Sequence, residues 1–274
     1  MIASHSSNDN EPVILVHQDI APVTGMTKYV LDFLDDVSYR LMTSESDLDQ
    51  VFRLRHDAYK AAQHIEGTND GKWTDPSDTC PSASIIGVFV DGELAASVRL
   101  HSLKDLNANS SAIQAFPDLL EPRFKTGRSF TDTNRLCCDV KLLNKCKALP
   151  LATMRVTGMH GYFFNSDHCL ATVRDHHEAF YKRILGARRW NESGVPLNGT
   201  TRDVHLLAAS LYDIRIRCYQ DRQYFFSTDA ERQALFDRVN RVEHVRPSAR
   251  AVIGGEDSGY WLKKISPPEI DPPV

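Results

Sequence analysis

SIIGVFVDGELAASVRL, residues 84–100, is the stretch on which the fold turns. Two runs rich in Ile, Val and Phe flank Asp91-Gly92. Asp-Gly between apolar runs marks a two-residue hairpin turn, because both residues tolerate positive φ. The spacing predicts strands over Ser84–Val90 and Glu93–Leu100. Upstream, Val37–Thr43 alternates as a strand. Leu48, Val51, Phe52, Ala58, Tyr59 and Ala62 then recur at helical spacing behind a capping serine, Ser44 or Ser46. Residues 63–82 read as a long irregular loop. Downstream come a short helix near Ala115–Phe124, a strand over Ser129–Val140, a helix over Pro150–Asn165 and a strand over Cys169–Arg174. A helix over Asp175–Leu185 follows, closed by Gly186, and then an apolar run within Asp203–Cys218. Thr228 and Glu231 have capping-box spacing for a last helix reaching Val242. A hairpin and a βαβ crossover in one chain predict an α/β (α+β) architecture. Its mixed central sheet is flanked by helices, with a C-terminal helical extension.

Residues 1–12 are polar and expected to be disordered, and the proline-rich tail 266–274 cannot pack as helix or strand. With neither repeat nor linker between them, 13–265 reads as one domain, its core at 37–220 and its C-terminal helix at 227–242. The chain is 42% hydrophobic and 25% charged, and lacks the 18 or more apolar residues in a row that a membrane span needs. Its start carries no signal-peptide pattern, so a cytoplasmic location is expected. Six cysteines with no CxxC pair predict reduced thiols, and His176-His177, adjacent on a helix, should point apart; no metal site is expected. A net charge of −4 argues against broad nucleic-acid binding.

Several residues break the apolar pattern. Arg55 falls on the stripe that should be buried, which is costly unless a carboxylate pairs with it. It is either a structural ion pair or an anchor for an acceptor. Asp75 and Asp78 lie three apart in the long loop, as turn residues or as part of a lid. Arg99 ends the second hairpin strand, and Asp132 and Arg135 flank Thr133-Asn134 on the next. Adjacent strands could bring these three to one cleft, where a carboxylate beside arginines orients an amine and accepts its proton, or could leave them as a cross-strand salt bridge. Tyr181 either packs or protonates a departing thiolate. Lys141, Lys145, Lys147 and Arg155 form a basic stretch without an acid, a solvated face or a dock for an acidic partner.

Together these residues resemble the autoinducer synthase-like branch of the N-acetyltransferase superfamily, from about Tyr39 to Trp190. The nearer likeness is to N-acyl amino acid synthases, the looser one to acyl-homoserine-lactone synthases. Arg55 and Tyr59 match the family's first-helix arginine and aromatic, Asp75 and Asp78 its two loop aspartates, and Arg99 its strand-ending arginine. Asp132-Thr133-Asn134-Arg135 stands where the family has Glu-x-Ser-Arg, and Phe180-Tyr181 to Gly186 looks like its last core helix. The resemblance implies an N-acetyltransferase-like fold with no tightly bound cofactor. The implied activity is transfer of a long-chain acyl group from the phosphopantetheine of acyl carrier protein to an amino acid.

In this scheme Asp132 is the base, through water, Tyr181 the acid, and Arg55, Arg99 and Arg135 hold the loop and acceptor carboxylates. Backbone N–H groups near Cys137 and Cys138 polarise the thioester carbonyl. Aspartate in place of glutamate, and no tryptophan shortly after Tyr59, point away from lactone synthesis. Coenzyme-A-using members carry a glycine-rich turn that cradles a pyrophosphate. Lys141–Pro150 has no glycine, and its basic residues fit a carrier protein instead. The rivals are an acyl-homoserine-lactone synthase, a coenzyme-A-dependent N-acetyltransferase, and a non-catalytic acyl-carrier-binding regulator.

Overall fold

A computed structural model describes residues 20–197, 203–239 and 242–255. The N-terminal stretch 1–12, expected to be disordered, and the proline-rich tail 266–274 lie outside the described residues. The elements run α1 (Gly25–Leu34), β1 (Val37–Leu41), α2 (Glu45–Ala61), β2 (Ala83–Val90), β3 (Glu93–Leu103), α3 (Ser111–Ala115) and α4 (Pro117–Lys125). There follow β4 (Phe130–Cys138), α5 (Val140–Lys145), α6 (Leu149–Phe163), β5 (His168–Val173), α7 (Asp175–Leu185), β6 (Arg188–Arg189), β7 (His205–Ser210), α8 (Leu211–Gln220), α9 (Asp229–Phe236) and α10 (Ala249–Ile253).

The strands form one seven-stranded sheet in the order β1-β2-β3-β4-β5-β7-β6. Every pairing is antiparallel except β4 with β5, which α6 connects. The hairpin forms at the predicted turn, with Asp91 at φ +52° and Gly92 at +84°. Both central residues are therefore left-handed, as a turn matching strand twist requires. Ser44 is the serine that caps α2, in a box with Asp47.

α6 is buried almost all round, which suits a helix held between a sheet and further helices. Thr131 and Thr133 of β4 hydrogen-bond His160 and Thr157 on it, and α9 and α8 cover its far side. The expected last helix stops at Phe236, six residues short of Val242, because Asp237 turns into extended backbone. The single helix expected near Ala115–Phe124 divides at Phe116 into α3 and α4, where Pro117 starts a new first turn.

Candidate active site

α2 lies over β3 and β4. Its stripe brings Val51, Arg55 and His56 inward, and Arg55 is completely buried. The loop after α2 folds back beneath it: Asp75 caps a 3-10 turn over Pro76–Thr79 and accepts from Ser77 N, while Asp78 accepts from Asp75 N at 2.8 Å. The three-residue spacing is thus a reciprocal cap, and it leaves both carboxylates aimed inward. Arg55 Nη1 donates to Asp78 Oδ2 at 2.8 Å. Arg99 Nη1 donates to Asp78 Oδ1 at 2.8 Å and to Asp75 Oδ1 at 2.6 Å, and Arg135 Nε donates to Asp75 Oδ2 at 2.7 Å.

Residues from α2, the loop, β3 and β4 therefore meet in one cluster of three arginines and two aspartates. Burial pushes the Asp75 carboxyl up, but Arg99 and Arg135 outweigh it and hold it well below the usual carboxylate range. Burial opposes the charge on Arg55, and Asp78 more than restores it.

Arg135 reaches the cluster because the backbone is distorted beneath it. Register passes from Arg99↔Asn134 to Ser97↔Cys137, so Arg135 and Leu136 together face Val98. Arg135 itself sits at φ +53°, a region disfavoured for a residue with a Cβ. Such strain persists where the surroundings over-determine it, here through the ion pair to Asp75 and the neighbouring Tyr59 hydroxyl.

The same distortion opens the sheet. β4 pairs with β5 only over Phe130–Thr133 against His168–Ala171. Among the described residues, Asn134–Cys138 has no partner strand on that side, and the two strands part there.

Asp132 lies two rungs along the ladder from Arg99, opposite His101 on β3 and on the face that carries Arg99. It is fully buried; Oδ2 accepts from Ala112 N of α3 at 3.1 Å, whereas Oδ1 has no partner among the described residues. Burial pushes its carboxyl up, partly offset by the Ala112 N–H and by the charge of Arg99. Tyr181 of α7 is half-buried, within electrostatic reach of Tyr59 and Asp132; burial and both neighbours push its hydroxyl up, so it keeps its proton.

Cys137 and Cys138 lie buried on the bulged half of β4, where burial pushes both thiols up, Cys138 to about 12. Neither is poised as a thiolate nucleophile. The structure thus brings Arg55, Tyr59, Asp75, Asp78, Arg99, Asp132, Arg135, Cys137 and Tyr181 near one another, whereas the Cys138 side chain points to the α6 side of the sheet, towards Thr153.

The basic stretch divides. Lys141, Lys145 and Lys147 are exposed on and just after α5, at the end of β4. Arg155 does not belong with them: it is completely buried in α6 and ion-paired with Glu231 of α9. It has no surface to offer a partner, and its place in the docking patch is corrected. Lys141–Pro150, read as a turn region, contains the short helix α5, capped by Asp139.

Sequence reasoning passed over His56 and Trp73. His56 Nε2 accepts from Thr68 N at 3.2 Å, and Trp73 N donates to Phe52 O at 3.0 Å while its ring meets Tyr59. Both pin the loop that carries the aspartates. A histidine beside the α2 stripe was the only signal.

A family model described as N-acyl amino acid synthase FeeM matches residues 50–209. Among solved structures, the chain is similar to FeeM, an N-acyl amino acid synthase from uncultured soil microbes. That likeness has 14% identity and a TM-score of 0.55, and covers 66% of this chain and 93% of the other. A weaker likeness, to the coenzyme-A-dependent acyl-homoserine lactone synthase BjaI, has 16% identity and a TM-score of 0.48, covering 64% and 81%. A putative N-acetyltransferase from Lactobacillus plantarum follows at 12% identity and a TM-score of 0.45, covering 64% and 98%. No curated protein matches the sequence. The family match runs from inside α2 almost to the end of β7, more than half the chain and every residue of the arginine–aspartate cluster, so the chain belongs to the FeeM family of N-acyl amino acid synthases and is an N-acyltransferase.

Proposed function

We propose that the protein transfers a long-chain acyl group from acyl carrier protein to the amine of an amino acid whose carboxylate docks on the arginine cluster. One observation carries this reading. Three guanidinium cations face two carboxylates, leaving one positive charge uncompensated. Around it Nε and Nη2 of both Arg55 and Arg99 are buried without an acceptor among the described residues. Desolvated N–H donors and an unbalanced charge are costly, and a single carboxylate removes both costs. Among the described residues Asp132 is ion-paired with none of the three arginines, so the count holds within the cluster.

The acyl thioester would enter the cleft between β4 and β5, its carbonyl against the backbone N–H groups at Cys137 and Cys138. The acceptor nitrogen attacks the carbonyl carbon, and the tetrahedral intermediate collapses with loss of the thiolate. Asp132 takes the amine proton through water; the raised affinity of its carboxyl for protons makes its anion the stronger base. Tyr181, held protonated, hydrogen-bonds the thiolate as it leaves.

The exposed Lys141, Lys145 and Lys147 suit an acidic carrier protein, and no glycine in Lys141–Pro150 offers a pyrophosphate its cradle. The test supplies long-chain acyl carrier protein, the same acyl group on coenzyme A, and acetyl-coenzyme A, each with an amino-acid mixture. It follows thiol release and product mass. The expected result is an N-acyl amino acid from the carrier protein, and none from decarboxylated amines. Equal turnover of amines without a carboxylate, or preference for coenzyme A, overturns it.

A further inference from the structure

His64 lies just past the end of α2, and His176 and His177 lie in the first turn of α7. One ring nitrogen from each comes within 4.8 Å of the other two. The rings of His176 and His177 are 4.0 Å apart between centroids, and that of His64 is 6.3 and 6.2 Å from them. The expectation that neighbouring histidines diverge on a helix fails here, because both rings lean towards the loop beyond α2.

The cluster of three rings holds no carboxylate, so it is not an ion-pair network. Nitrogen donors of a tetrahedral zinc ion stand about 3.4 Å apart, given Zn–N distances of about 2.0–2.1 Å. Closing from 4.8 Å takes shifts of about 1 Å in side chains that are half-buried or exposed.

We propose that His64, His176 and His177 form a three-nitrogen site for a divalent ion of the zinc class, with its fourth position open. Such an ion would tie the end of α2, which lies over β4, to the start of α7, which follows β5. Those are the two sides of the acyl-transfer cleft, and the Tyr59 ring, 6.2 Å from His64, leads from the trio to Arg135. Arg174 opposes binding: its Nη1 lies 3.0 Å from His64 Nδ1 and sets a positive charge beside the trio.

The metal-free protein is titrated with Zn2+ by calorimetry and with Co2+ by visible absorption. One ion per chain is expected, with Co2+ bands typical of low coordination. His64→Ala and His177→Ala, each shown by circular dichroism to be folded, should weaken binding by on the order of tenfold or more, and Arg174→Gln should tighten it. No binding at millimolar metal, or binding unchanged by His64→Ala, overturns the site.

Discussion

Two buried arginine networks lie on opposite sides of the same sheet, and they differ in how completely they are paired. On the α6 side, Arg155 Nε donates to Tyr224 O at 2.8 Å, Nη2 to Glu231 Oε2 at 2.7 Å and to Phe226 O, and Nη1 to Glu231 Oε1. Glu231 in turn accepts from Ser248 N and Oγ. One cation meets one anion, and all three guanidinium nitrogens have acceptors. On the α2 side, five charges leave one over, and four guanidinium nitrogens have no acceptor among the described residues. A saturated network holds helices together; an unsaturated one has capacity left for a ligand. The contrast separates structural arginines from candidate functional ones better than burial does, since Arg55, Arg99 and Arg155 are all buried.

The comparison breaks if the wrong network proves functional. Asp132→Ala should cost about 10²–10⁴-fold in acyl transfer, the usual range for a general base, while leaving the circular dichroism spectrum native. A fully active variant removes the assigned base. Arg155→Met leaves Glu231 buried without its partner, at about 3–5 kcal/mol, and lowers the melting temperature by roughly 10 °C. Arg155→Met with Glu231→Leu should recover most of that loss, because both charges then go together.

Arg55→Lys should act differently: KM for the amino acid rises about tenfold, kcat moves little, and stability falls by less than in Arg155→Met. A loss of stability alone would place Arg55 with Arg155.

A pH titration sharpens the contrast. Burial holds His101 and His160 down at about 3, so below about pH 6.5 the unfolded chain binds protons that the folded one refuses. Stability should fall by up to about 1.4 kcal/mol per pH unit per histidine between about pH 6.5 and 3. Asp75 adds its loss only below about pH 4, where the unfolded carboxyl takes up protons. His160→Gln should flatten the slope above pH 4 in thermal melts, which an aspartate-driven acid transition would not show. The smallest effect is expected at the rim. Replacing Lys141, Lys145 and Lys147 with Gln should weaken acyl-carrier KM several-fold at low salt and little at high salt.

The frame was legible where local chemistry decides it. Asp91-Gly92 admits one kind of turn, Gly186 closes α7 in the left-handed region, and Arg55 stood out because it interrupts an apolar stripe. Other features depend on partners distant in sequence. Arg155 reads as basic surface until Glu231, 76 residues later, is placed against it. The left-handed Arg135 has no local signature, since nothing in Asn134-Arg135-Leu136 favours positive φ; the register with β3 and the pull of Asp75 impose it. α5 escaped notice because six residues carry no helical period, and the three histidines because loop and helix meet only in the folded chain.

The four-residue pairing of β4 with β5 has a consequence for how such a protein can change. On the proposed mechanism the thioester meets main chain where β4 and β5 part, whereas the acceptor carboxylate meets side chains borne by α2, its loop, β3 and β4. Substitutions that remodel the acceptor pocket leave the slot intact, because carbonyl and amide groups are common to every residue type. A lineage could therefore exchange one amine substrate for another by a handful of point changes while inheriting the donor slot unaltered. Its members would come to share a backbone long after they had ceased to share a recognisable sequence.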